Sequence, residues 1–181
     1  MSLSISLISK EVKRIQNKYR ESDPFRLCRL LGISLLFSPM GSHPEDCKGF
    51  YLYQSRKQAI VLNEDLPEAL QRIILAHELG HGILHRKASG LHSFHDFVLF
   101  DETSVYEYEA NIFAADLLLE DSKVLSLLND DLSFFQAAAK LKVPAELLDF
   151  KFRVLKRKGY KVVDPPFVSS SNFLKNYSEK E

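Results

Sequence analysis

The stretch IILAHELGHGILH, residues 73–85, sets His77 and His81 four positions apart with Glu78 between them, inside an otherwise largely apolar run. On a helix, residues four apart lie one turn above each other, so both imidazoles aim at a single point. Two such rings fill half of a tetrahedral metal shell. Glu78 lies about 100° further around the axis, out of that row and beside the ion, where its carboxylate suits holding a water rather than ligating. The chemistry that fits this spacing is metal-assisted hydrolysis. The alternative is a core helix whose histidines are satisfied by neighbours. The preceding Ile73, Ile74, Leu75 and Ala76 favour the metal, because two imidazoles and a carboxylate are costly to desolvate without a partner. Gly80 costs about 1 kcal/mol of helix propensity, which is tolerable where a crossing strand or a substrate needs close approach.

A third ligand has to come from elsewhere. Some metal hydrolases carry a histidine six residues after the second one, and here that position is Lys87, which excludes that class. His85 follows Gly82 near the expected helix end, so its direction is open and a supporting contact suits it better than ligation. His43, His92 and His95 fall in turns or loops. Downstream, YEYEAN offers Glu107 and Glu109. Glu109 shares a helical stripe with Asp116 and Glu120, the pattern of a solvated face, whereas Glu107 shares its stripe with Asn111, Ala114 and Leu118 and should point inward. Ser104-x-x-Glu107 can also be read as a capping box. Asn111, one turn beyond Glu107, is spaced to hydrogen-bond the second nitrogen of a histidine ligand and fix its tautomer. The candidate metal ligands are therefore His77, His81 and Glu107, with Asn111 behind them. Zn2+ is the ion preferred for two imidazoles and one carboxylate.

These residues need elements to position them. Ile8, Val12, Ile15 and Tyr19 mark an amphipathic helix over residues 5 to 20, and Asp23-Pro24 opens a short second helix that Gly32 closes. ISLLF, GFYLYQ and QAIVLN, separated by turn-forming stretches, predict a small, mostly antiparallel three-stranded sheet. Asp65 with Glu68 predicts a cap for the histidine-bearing helix, starting near Leu66 and ending near Gly90. Residues 88 to 102 read as a polar loop, and Ser104 starts the helix carrying Glu107. Shorter helices are expected near 122–129, in LSFFQAAAKLK and in PAELLDFKFRVLKRK, the last ended by Gly159. The fold class is α+β, with the sheet packed on the active-site helix and a mainly helical C-terminal part.

AHELGHGILH followed by EYEANIFAADLLL resembles the ImmA/IrrE-type metallopeptidases, zincin-like gluzincins in which the glutamate of an E-x-x-A-N segment completes a His-His-Glu site. The resemblance extends less specifically to GFYLYQSRKQAIVLNEDL and covers roughly residues 25 to 120. It departs from the family at LLLED, where Leu-Leu-Met-Pro is usual. It implies that His77, His81 and Glu107 ligate the ion and that Glu78 is the catalytic base. It also implies an anti-repressor protease whose protein substrate is a helix-turn-helix transcriptional repressor. On this reading residues 1–120 form the metallopeptidase core, 121–161 a helical C-terminal subdomain and 162–181 a flexible tail. A second donor for the oxyanion is needed, and Tyr51, Tyr53, Tyr106, Tyr108, Arg86 and His95 are all candidates. A peptide could add as a strand along an edge near QAIVLN.

Other classes are constrained by bulk properties. Twenty-four Lys and Arg balance 24 Asp and Glu, so no global field draws the chain to nucleic acid or anionic lipid. No apolar stretch approaches the roughly 20 residues that span a bilayer, and the N-terminus lacks the pattern of a secretory leader. A cytoplasmic protein is expected, with Cys28 and Cys47 reduced. One rival remains, a metal-binding regulator that contacts DNA or a partner protein through QAAAKLKVPAELLDFKFRVLKRKG, whose second half carries Lys151, Arg153, Lys156, Arg157 and Lys158. The competing reading of those cations, which the neutral overall charge favours, is a solvated face around Leu147, Leu148, Phe152 and Leu155.

Overall fold

A computed structural model describes residues 3–43, 46–86, 104–129, 132–163 and 165. The described residues form three strands and seven helices: α1 (Ile5–Tyr19), α2 (Pro24–Leu31), β1 (Ser34–Ser38), β2 (Gly49–Gln54), β3 (Lys57–Asn63), α3 (Glu68–Leu84), α4 (Val105–Leu118), α5 (Asp121–Asn129), α6 (Phe134–Leu141) and α7 (Ala145–Arg157). The architecture is α+β. No helix among them is long and apolar enough to cross a membrane.

Local chemistry sets most boundaries. Ser4 caps α1 through the Leu7 amide, and Ile8, Val12 and Ile15 are buried on one face. Asp23 caps α2 through Arg26, Pro24 occupies its first turn, and Gly32 ends it with a φ of 69°. That is the left-handed conformation glycine adopts without steric cost. The expected cap on α3 does not form. Its N-cap is Pro67 with no side-chain bond, because the Asp65 carboxylate accepts instead from the Gly41 amide at 2.8 Å. The helix ends at Leu84, with His85 as its C-cap; the expected end at Gly90, the loop through 102 and most of the tail at 162–181 lie outside the described residues.

The sheet is mixed. β2 pairs antiparallel with β3, and β1 pairs parallel with β3, giving the order β1-β3-β2. The connection from β1 to β2 therefore passes over β3, and β3 becomes the central strand. The expectation of a free edge at QAIVLN fails for that reason: its backbone is paired on both sides, and among the described residues the sheet edges belong to β1 and β2.

One core joins these elements, from Ile8 and Val12 through Ile60, Leu62, Ile74 and Leu79 to Phe113, Phe150 and Leu155. α3 packs on β2, β3 and α4, and α4 in turn packs on α1 and α7. Helix α4 is thus enclosed on several sides, and every residue from Glu109 to Leu117 is buried. Gly80 explains how closely α3 and α4 meet: a Cβ there would lie 3.1 Å from Ala110 Cα and 3.3 Å from Phe113 Cβ. The close approach inferred from Gly80 is that of a helix, neither a strand nor a substrate.

Candidate metal centre

The α3–α4 crossing brings His77, His81 and Glu107 together, each offering one donor atom within 4.8 Å of the others. All three are buried. His77 Nε2 lies 3.1 Å from Glu107 Oε2, His81 Nε2 lies 3.2 Å from Glu107 Oε1, and the two Nε2 atoms are 3.1 Å apart. Glu107 is therefore committed to the histidines. Ser104 does cap α4, but through the Tyr106 amide, so the capping-box reading of Glu107 does not hold.

The neighbours of each ring decide which nitrogens carry hydrogen. His77 Nδ1 lies 2.8 Å from Asn111 Oδ1, an acceptor, so Nδ1–H donates and Nε2 presents its lone pair. His85 Nε2 lies 2.9 Å from Glu109 Oε2, and an ionised carboxylate only accepts. The hydrogen of His85 therefore sits on Nε2, and its Nδ1 accepts from His81 Nδ1–H across 3.1 Å. His81 Nε2 is thereby left bare. Two lone pairs and a carboxylate oxygen converge, a donor set made for a cation and unfavourable without one.

The electrostatics agree. Burial works against charge on His77, yet the neighbouring Glu107 carboxylate outweighs it and raises its pKa, so the pocket favours positive charge beside Glu107. Burial also opposes ionisation of Glu107, but the two histidines beside it hold its carboxyl far below the usual carboxylate range. Burial pushes His85 down to about 4, consistent with a neutral accepting ring.

Glu78 stands apart from the donor row, buried, with Oε2 free of any hydrogen-bond partner among the described residues. Desolvation raises its pKa, and a backbone hydrogen bond from Tyr51 of β2 opposes the rise. Gly82 lets β2 come this close, since a Cβ there would meet the Tyr51 ring at 2.9 Å. The other tyrosines have definite places. Tyr51 donates its hydroxyl to Gln58 Oε1 at 2.8 Å, Tyr53 lies under Arg86, Tyr106 packs its ring 4.8 Å from His85, and Tyr108 faces Phe150 and Arg153. His43 lies in an exposed turn, and His92 and His95 lie outside the described residues.

One residue that sequence reasoning misplaced belongs here. Glu109 is 1% exposed and holds His85, so the solvated stripe expected for it is wrong; Asp116 on the same stripe is also buried, against Lys151 and Lys158. The available signal was the segment itself, because ANIFAADLLL leaves no polar face on which an acid could be solvated. His85 extends the row of His77 and His81 by one more turn and takes the supporting place, bonded to His81, that suited it better than ligation.

Comparison with known proteins agrees with this geometry. Residues 28–153 match the IrrE N-terminal-like domain, family Peptidase_M78, a span that takes in α6 and the larger part of α7. The chain is 36% identical over 146 residues to "Uncharacterized immunity region protein 2" of Bacillus phage phi105, covering 81% of this chain and 89% of that protein. It is 26% identical over 153 residues to "Metallopeptidase ImmA" of Bacillus subtilis (strain 168), covering 80% and 83% respectively.

Proposed function

From the premise that this chain belongs to the IrrE N-terminal-like family of metallopeptidases, we propose that it is a zinc-dependent endopeptidase of the cytoplasm that cleaves or inactivates a helix-turn-helix repressor. The observation that carries the hydrolytic reading is the convergence of His77, His81 and Glu107 beside a buried carboxylate oxygen of Glu78 that no other described residue engages. His77, His81 and Glu107 would hold the ion, with Asn111 fixing the His77 ring. The bound ion would supply Lewis-acid polarisation of the scissile carbonyl and acidify a water.

The rest of the reaction falls to the chain's own groups. Glu78 Oε2 takes the proton of the attacking water and later delivers it to the leaving amine nitrogen, so the carboxylate is regenerated. The Tyr51 amide holds the Glu78 carboxyl in place. That amide is not spent on β3, so the free edge of β2 faces the site and is where an extended peptide would add as a strand. Among protein substrates, the name of the phage relative, an immunity region protein, favours a repressor.

Three of the five cations behind the rival regulator are engaged inside the molecule. Lys151 and Lys158 are neutralised by Asp116 and Asp121, and Arg153 pairs with Asp149 at 2.7 Å. Glu78→Gln tests the enzyme directly. It should retain the metal and lose cleavage of a purified repressor substrate by at least about 100-fold, the lower end for general-base removal. Cleavage at the wild-type rate would refute the role of Glu78.

A further inference from the structure

The two histidines are supported in different ways. Behind His77 stands a neutral amide, Asn111. Behind His81 stands a longer arrangement: its Nδ1–H donates to His85 Nδ1, His85 Nε2–H donates to Glu109 Oε2, and the Leu3 backbone amide donates to Glu109 Oε1. Every member that reaches the site is buried, with His85 at 5% exposure and Glu109 at 1%. All the hydrogens point one way, from the ring that faces the ion towards the carboxylate.

We propose that His85 and Glu109 are positioning residues that act through His81, forming a charged relay that fixes its tautomer and strengthens Nε2 as a donor to the ion. The inference rests on the metal-site reading above and deepens it. A carboxylate at the far end makes His85 a better acceptor, because hydrogen bonds to ionised groups are about twice as strong as neutral ones. That gain passes through the imidazole to His81. The Leu3 amide occupies the second Glu109 oxygen, so the segment preceding α1 orients the carboxylate towards His85. A purely structural role would need only that α3 and α4 be tied together, and would not care which nitrogen of His85 holds hydrogen.

The test uses the full chain, titrated with Zn2+ against a chromophoric chelator, alongside 15N spectra of the histidine rings. His85→Ala and Glu109→Ala should weaken zinc binding by about 10- to 100-fold. Glu109→Gln, whose amide oxygen still accepts, should lose less. The wild-type spectrum should place the His85 hydrogen on Nε2, and Glu109→Ala should release that preference. Wild-type zinc affinity in folded Glu109→Ala, or a wild-type His85 with its hydrogen on Nδ1, would overturn the relay. If the alanine variants do not fold, Glu109→Gln affinity and the wild-type spectrum decide. If the wild-type chain takes up no zinc, the metal-site reading fails and the relay falls with it, whereas zinc uptake with a His85 hydrogen on Nδ1 overturns the relay alone.

Discussion

At the residue scale, the difference between Glu107 and Glu109 shows what periodicity can and cannot tell. The stripe through Asn111, Ala114 and Leu118 pointed Glu107 inward, and the structure seats it between His77 and His81. The same logic put Glu109 in solvent, because it assumes that a helix has one buried face. Helix α4 is buried almost all round, so its acids are satisfied by partners instead of water. Pairings such as Glu109 with His85, 24 positions apart, depend on a helix crossing that no local window contains. Asn111 gives a prediction at this scale. Asn111→Leu removes the acceptor for His77 Nδ1–H while roughly keeping volume, and should weaken metal binding by about 10- to 100-fold. Chelator-competed titration measures it, and an unchanged affinity would show that the tautomer of His77 is set by something else.

At the element scale, the site exists because α3 and α4 approach closely at Gly80 and Ala110. The glycine was legible as a signal of close approach, but its partner was not. Strand composition likewise marked three strands, yet their order, with β3 central and β1 parallel to it, is a matter of long-range pairing and does not show in local patterning. Substitution at Gly80 separates propensity from packing. Gly80→Ala gains up to about 1 kcal/mol of helix propensity but sets a methyl 3.1 Å from Ala110 Cα, so its net effect on urea unfolding should stay within about 1 kcal/mol. Gly80→Val adds two more methyl-sized groups at the crossing and should cost about 1–3 kcal/mol by overpacking. Metal affinity should fall with it, since the histidines and Glu107 sit on either side of that contact. A Gly80→Val protein as stable and as avid for metal as the wild type would contradict this account of the crossing.

At the scale of the whole molecule, neutral net charge conceals an internal ion cluster. Lys151, 1% exposed, reaches Asp116 at 2.6 Å and also Asp121, tying α7 to α4 and to the start of α5. Part of the basic run at the C-terminal end is therefore structural, which a charge count along the sequence does not reveal. Removing one member of such a cluster leaves uncompensated buried charge, so Asp116→Ala should lose about 3–5 kcal/mol in denaturant unfolding. Burial alone would raise the Asp116 pKa, but Lys151 and then Lys158 bring it below its ordinary 3.8. A carboxyl depressed in the folded state contributes its stability in full above about 3.8 and loses it as pH falls through the lower folded value. Stability of Asp116→Asn should accordingly vary less with pH below 4 than that of the wild type, as acid unfolding curves would show.

Zinc content of the purified chain, compared with that of His77→Ala, tests the central claim most directly. The account predicts one tightly held ion per wild-type chain and almost none in the variant. Equal zinc in both, or none in the wild type after loading with excess metal, would contradict it.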